Sequence, residues 1–357
     1  WELVEPFMDD LPLIGRYNSK LPQVAAQQIQ QARAAAIDAF LVSWFGVDEQ
    51  VTTTPALRNL LDRAAEQRFF IGAVLDLYPD EFLRDPAVLE RSLRWLVDEL
   101  SQHPAYLHYQ GRPLIAFAFQ ERAGFSSAQW RALREKVDPD RRTFWLAEGL
   151  NACCLHGGAM DGMYAFNMAW TNGNSDYYIA ERNLILQRGG TFYLPSLSPG
   201  WDEARIAQAE NRPRPTSPRD RAEGGFLQRA WDGALRAAGD RLLIVTWNEF
   251  MENSHIEPSL LYGTQALDLL REMIHDWKGY SAALPEPADD EHSCYVTRPA
   301  QTAPLRPRPS FTGSALRFVS PAQTYPLLDE EGGFYQVDDG GLKGWLAAAH
   351  VRFERCA

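Results

Sequence analysis

"LPQVAAQQIQQARAAAIDAFLVSWFG", residues 21–46, holds two periodicities back to back. Residues 21–36 read as a helix that opens near a proline, a residue tolerated in a helix's first turn. Residues 37–46, "IDAFLVSWFG", are apolar at consecutive positions, as in a strand buried on both faces. The alternation recurs along the first 280 residues. Six further strand candidates follow: "FFIGAVLDLY" (69–78), "LIAFAFQ" (114–120), "TFWLAEG" (143–149), "GMYAFNM" (162–168), "TFYLPSL" (191–197) and "RLLIVTW" (241–247). Helical periods lie between them, clearest at 86–103 and at 224–239, where a glycine ends the helix. Strand then helix, repeated, predicts a parallel α/β architecture. A closed (β/α)8 TIM barrel needs eight strands and the chain offers seven, so the first strand is expected upstream of Trp1, which opens in loop-like sequence. An open doubly wound sheet is the alternative; it lacks a Gly-rich nucleotide loop after any early strand.

The chain has 357 residues, 45% of them hydrophobic, and a net charge of −12. That acidity argues against nucleic acid, whose phosphates it would repel. No apolar run is long enough to span a bilayer, so no membrane span is expected. No cofactor motif is present. Beyond about residue 281 the texture changes. A proline- and acid-rich linker, 281–293, separates a barrel domain, 1–280, from a small all-β domain, 294–357. A weak repeat, "RPAQTAPL" (298–305) and "SPAQTYPL" (320–327), and the turns "EEGG" and "DDGG" punctuate strand-sized runs there. Cys294 and Cys356 sit near the two ends of that segment, placed to form a disulfide or to remain free thiols; a bridge would imply an oxidising, extracytoplasmic setting, secreted or periplasmic. Cys153 and Cys154 read as an inert pair.

Barrel chemistry sits at the carboxyl ends of the strands. There the sequence places Trp44, Asp76 and Tyr78, Glu121, Glu148, Tyr164 and Asn167, Trp201 and Asp202, and then Asn248, Glu249 and Glu252 within "TWNEFMENSHIEPS" (246–259). Aromatics suit the apolar C–H faces of sugars, and carboxylates and amides suit their hydroxyls; core packing is the competing role for each single aromatic ring. Glycoside cleavage requires a carboxylic acid for the leaving oxygen and commonly a second carboxylate. Glu249 and Glu252 supply such a pair, although acidic residues are also ordinary in a helix's first turn. Glu252-x-x-His255 and Glu272-x-x-His275 have the spacing of di-iron carboxylate bundles, but those need four long helices, which seven strands contradict, and no metal is expected.

With these residues in view, the chain resembles glycoside hydrolase family 99, the endo-α-mannosidase-like group. "GRYNSKLPQVAAQQIQQARAAAIDAFLVSWFG", "HPAYLHYQGRPLIAFAF", "LSPGWDEARI" followed by "RDRAEGGFLQRAWDGAL", and "TWNEFMENSHIEPS" carry the likeness, over about residues 12–275. The resemblance implies a (β/α)8 barrel whose aromatic-rich first strand precedes the "GRYNS" position. It also implies retaining, metal-free cleavage within an α-mannosidic or related polysaccharide or glycan. On matching positions Glu249 would deprotonate the substrate's 2-hydroxyl, giving a 1,2-anhydro sugar, and Glu252 would act as general acid and then base. Tyr164 matches near the aromatic after "DG". Trp44, Asp76, Tyr78, Tyr164, Asn167, Trp201, Asp202, Asn248 and His255 are the expected substrate-binding residues. The family's Trp, His and Gly within its "NEWHEG" motif are Phe250, Met251 and Asn253 here, which puts mannan specificity in question. Residues 314–353 resemble a bacterial SH3-like domain through Phe334-Tyr335-Gln336-Val337 and Gly344-Trp345-Leu346, which implies a cell-wall or peptide partner, with a purely structural cap on the barrel as the alternative. The rival functional class is a non-catalytic carbohydrate-binding barrel in a polysaccharide synthesis or export complex.

Overall fold

A computed structural model describes residues 5–78, 83–149, 158–187, 189–214, 216–281, 295–299, 302–308, 315–321, 323–331, 334–347 and 351–355. The four cysteines lie outside them. All seven expected barrel strands are present. They are β1 (Ala39–Trp44), β2 (Phe70–Asp76), β4 (Arg112–Ala118), β5 (Phe144–Glu148), β6 (Gly162–Tyr164), a strand divided at Pro195 into β7 (Tyr193–Leu194) and β8 (Ser196–Leu197), and β9 (Leu243–Ile244). A two-residue strand, β3 (His108–Tyr109), forms an antiparallel hairpin with β4. The barrel strands pair in parallel, each with the next in sequence, from β1 to β7 and from β8 to β9.

The sheet curls so that side chains from its two ends approach each other, with no pairing between β9 and β1 among the described residues. Phe40 of β1 packs its ring 5.0 Å from that of Trp247, just past β9. Lys278, on the helix after β9, reaches back across the seam to Ala36 O at 2.7 Å and Asp38 Oδ1 at 2.6 Å. The arrangement is consistent with a (β/α)8 barrel, its outer layer built by α1 (Pro22–Ala34), α2 (Thr53–Gln67), α3 (Pro86–Asp98), α4 (Ser127–Val137), α5 (Ser175–Gln187), α6 (Ala204–Ala209), α7 (Gly225–Ala237) and α8 (Gln265–Ser281).

Local chemistry sets the helix starts. Asp85 accepts Ala87 N–H at 2.8 Å, and Ser126 and Gln129 close a capping box on α4. Burial alone would raise the pKa of Glu49, but Glu49 accepts the Thr53 hydroxyl and the Val51, Thr52 and Thr53 amides ahead of α2, and those bonds hold it down at about 2. None of the helices among the described residues is long and apolar enough to cross a membrane.

Strand parity splits the core in two. Leu114, Ala116, Phe144, Leu146, Tyr164, Phe192 and Leu194 fill the barrel interior. Their neighbours Ile115, Phe117, Trp145, Ala147 and Tyr193 face the helices. The expected linker lies, past Ser281, outside the described residues; after it, five antiparallel strands run in the order β15-β14-β13-β10-β16. They are β10 (Tyr295–Pro299), β13 (Tyr325–Glu331), β14 (Phe334–Asp339), β15 (Leu342–Ala347) and β16 (Val351–Arg355). A second pair is β11 (Ala303–Leu305) with β12 (Arg317–Val319). The expected "DDGG" turn joins β14 to β15, with Gly340 and Gly341 at φ +63° and +93°, which a two-residue hairpin turn of this kind needs.

Candidate active site

After β9 the chain turns sharply. The Val245–Thr246 peptide is cis, and Thr246 Oγ1 accepts Glu249 N–H at 2.9 Å. One 3-10 turn, Phe250–Glu252, follows, so Glu249 and Glu252 flank or end the same turn. Asn253 ends it at φ +51°. A glycine would sit there without strain, and asparagine is among the few other residues that adopt this conformation readily. That accounts physically for Asn253 at the glycine position of the motif.

Both carboxyls are half-buried. Burial raises Glu249 to about 7, although Met251 N–H donates to it. Burial, then the charges of Glu249 and Glu203, raise Glu252 to about 9 against the pull of Arg212. Glu252 Oε2 is buried without a hydrogen-bond partner. Among carboxylates that titrate together, one is therefore held protonated at neutral pH while the other is poised to ionise.

The turn is clamped from behind. His255 stacks on Phe250, with ring centroids 4.0 Å apart and planes at 17°. Its Nε2 lies 3.1 Å from Asp10 Oδ2, and Asp10 Oδ1 also accepts Leu11 and Leu261 N–H. Arg221 donates to Asn253 O at 3.2 Å and His255 O at 2.9 Å, with its guanidinium 3.8 Å above the Tyr262 ring. A strap, residues 10–13, pairs with 258–261 through Leu13 N–Pro258 O and Leu260 N–Leu11 O. Asn248 donates to Tyr17 OH, which donates to Glu257, and Gln28 also donates to Glu257, so the start of α1 is tied to the same loop.

The expected site residues divide. Asp202 accompanies the pair, its N–H donating to Glu252 O at 2.8 Å. Asp76 lies across the mouth, accepting Ser43 Oγ–H at 2.6 Å. Glu148 sits close enough to Asp76 and Glu121 that their charges, after burial, raise its pKa. Tyr78 is exposed, under Arg122 at 4.3 Å. Asn167 accepts Ala169 N–H and donates to Thr216.

Three residues expected to touch substrate are buried, Tyr164 among them beside Glu148 and Asp76. Trp44 is fully buried on the helix side of β1, with Nε1 bonded to Thr54 Oγ1. Tyr164 fills the barrel interior and donates to Phe117 O. His255 is 1% exposed and belongs to the clamp. Trp201 is buried at its strand end but forms a wall of a cavity of about 300 Å³ shared with Asp202, Arg219, Arg221, Asn253 and Tyr262. Sequence alone did not single out Asp10, Tyr17, Ser43, Glu203 or Arg221. Glu272 and His275 lie on the exposed side of α8, while Glu252 and His255 face different surroundings.

A curled parallel β/α sheet with carboxylates gathered at the carboxyl ends of its strands is the architecture of a barrel glycosidase. The chain belongs to glycosyl hydrolase family 99, whose sequence profile matches residues 7–280. It is 21% identical over 268 residues to the glycoprotein endo-alpha-1,2-mannosidase of Mus musculus, covering 70% of this chain and 56% of that one. The Rattus norvegicus enzyme is 23% identical over the same shares. The chain thus spans little more than half the length of these curated relatives. Among solved structures, the GH99 endo-alpha-mannosidase from Bacteroides thetaiotaomicron superposes with a TM-score of 0.65 at 18% identity, covering 76% of this chain and 84% of that one. That likeness bears on the fold.

Proposed function

We propose that the protein is a retaining glycosidase that cleaves within an α-linked, mannan-like polysaccharide or glycan. The observation that carries this is the placement of two carboxyls on one turn just past the last barrel strand, with one oxygen of Glu252 buried and unpartnered. Neutral Glu252 donates its proton to the glycosidic oxygen as the C1–O bond breaks. Ionised Glu249 removes the proton of the 2-hydroxyl, whose oxygen closes on C1 to give a 1,2-anhydro sugar. Water then attacks C1 and gives its proton to Glu252, while Glu249 returns a proton to O2. Two displacements at C1 retain configuration.

Asp76, Tyr78, Asn167, Asp202 and Asn248 are proposed to contact the sugar, with Trp201 walling the adjoining cavity. The C-terminal antiparallel strands are proposed to form a separate SH3-like module, residues 294–357, that holds the enzyme to a cell-wall or peptide partner. The test is digestion of a panel of α-linked glycans by the native protein and by Glu252→Gln. Loss of cleavage in the variant is expected. Unchanged cleavage would remove Glu252 as the acid, and binding without turnover by the native protein would favour a carbohydrate-binding barrel.

A further inference from the structure

We infer that Trp170 and Tyr177 form a second carbohydrate-binding platform on the barrel mouth, remote from the two glutamates, that holds a distal stretch of the polysaccharide. This rests on the glycosidase assignment above. Trp170 lies in the 3-10 turn Ala169–Thr171, which follows β6, and Tyr177 lies in the first turn of α5. Segments between a strand's carboxyl end and the next helix occupy the active-site face of such a barrel.

The two rings meet edge to face at 4.9 Å, yet they remain 40% and 46% exposed. Single exposed apolar residues are ordinary; paired aromatic rings on a functional face are not. The electron-rich face of an aromatic ring suits the C–H face of a sugar, whose hydrogens are made slightly positive by neighbouring hydroxyls.

The platform is held in place before any ligand arrives. Asn167 caps the turn through Ala169 N–H, and Thr171 Oγ donates to Met168 O. Arg219 donates to Ala169 O at 3.0 Å and Trp170 O at 3.2 Å. Gly173, at φ +74°, seats the following loop so closely on α7 that a Cβ there would lie 2.7 Å from Arg229. Ordering costs on binding are correspondingly small.

Arg219 also gives the platform its continuity with the candidate active site. Its backbone pairs with Trp201 in both directions, and both residues line the 300 Å³ cavity that Asp202 and Asn253 share beside Glu252. The cavity wall and the backbone of the Trp170 turn are thus tied together through one residue, Arg219. Neither ring lines the cavity itself.

The test uses yeast α-mannan as probe. Turnover is measured with the native background, and retention on immobilised mannan is measured in a Glu252→Gln background. Trp170→Ala/Tyr177→Ala should raise KM on the polymer about tenfold, leave kcat unchanged, and weaken retention by a similar factor. Trp170→Phe/Tyr177→Phe, which keeps both rings, should restore most of each, and the thermal midpoint should match the native protein's in both variants. Turnover and retention both unaffected by the double alanine variant would overturn the platform and leave the glycosidase assignment standing. Retention lost in that variant with no turnover by the native protein would support the platform and sink mannan cleavage. No turnover by the native protein together with no retention of Glu252→Gln would overturn both.

Discussion

If Glu249 must be ionised and Glu252 protonated for the first step, the pH dependence of kcat/KM follows from their surroundings. Burial holds Glu249 near about 7, and burial with its neighbours' charges holds Glu252 near about 9. The fraction of free enzyme in the working state is then about 0.8 at pH 8 and about 0.01 at pH 5. A pair at the ordinary carboxylate value would behave in the opposite way, with an optimum near about 4.5 and a working fraction of about 0.0003 at pH 8. The assay is kcat/KM on a soluble α-mannan oligosaccharide from pH 4.5 to 10. The expected profile is a bell with its maximum near pH 8 and activity at pH 5 lower by about eightyfold. Glu249→Gln should abolish turnover. It should also move the titration of Glu252, followed by carbon NMR, toward lower pH, because the Glu249 charge is the second-largest cause of its elevation. A maximum at pH 4–5, or a profile flat between pH 5 and 8, would refute the assignment of burial as the controlling force.

Glu181, 5% exposed behind β7 and accepting the Tyr193 hydroxyl, is raised to about 7 by burial. An acid with a raised native pKa binds its proton more tightly in the folded state. Its contribution is intact below about 4.5 and is lost as pH rises through about 7, a loss of about 3 kcal/mol. Glu181→Gln should therefore stabilise the protein at pH 8 and not at pH 4.5 in urea titrations; equal effects at both would contradict this. Gly162→Ala would place a Cβ 2.6 Å from Phe192 Cβ and 2.8 Å from its carbonyl oxygen, between paired strands β6 and β7. A lower thermal midpoint is expected, worth about 1–3 kcal/mol. Asp10→Asn weakens the bond to His255 and loosens the turn that His255 supports, so kcat should fall more than binding while stability drops by about 1–3 kcal/mol in urea titrations. Native kcat in this variant would remove the clamp from catalysis.

The seven strands were legible because a parallel strand buried on both faces cannot alternate polar and apolar residues, and 37–46 or 69–78 show that directly. What the runs conceal is which face each side chain takes. Ser43 and Trp44 are neighbours at one strand end. The serine points into the mouth to meet Asp76, and the tryptophan points out to Thr54. An apolar run is equally compatible with either parity, so the larger aromatic drew attention and the small hydroxyl did not. Tyr164 illustrates the same ambiguity one layer inward. The glutamate pair was legible from its position after the last strand. The groups that tune and hold it come from distant parts of the chain: Glu203 and Arg221 from the segment between β8 and α7, and Asp10 from the strap. No local pattern marks a partner 245 residues away.

That separation has a bearing on how the molecule becomes active. Asp10 precedes all the described barrel strands in the sequence and His255 follows them all, so the support beneath the glutamates is a contact between distant parts of this domain. Long loop closures of this kind form late, after the local β/α units have already gained their packing. Turnover should thus report formation of this long-range contact. In refolding experiments it should appear after the tryptophan fluorescence of the barrel has settled, and a cut just after Asp10 should silence the enzyme while leaving the barrel folded.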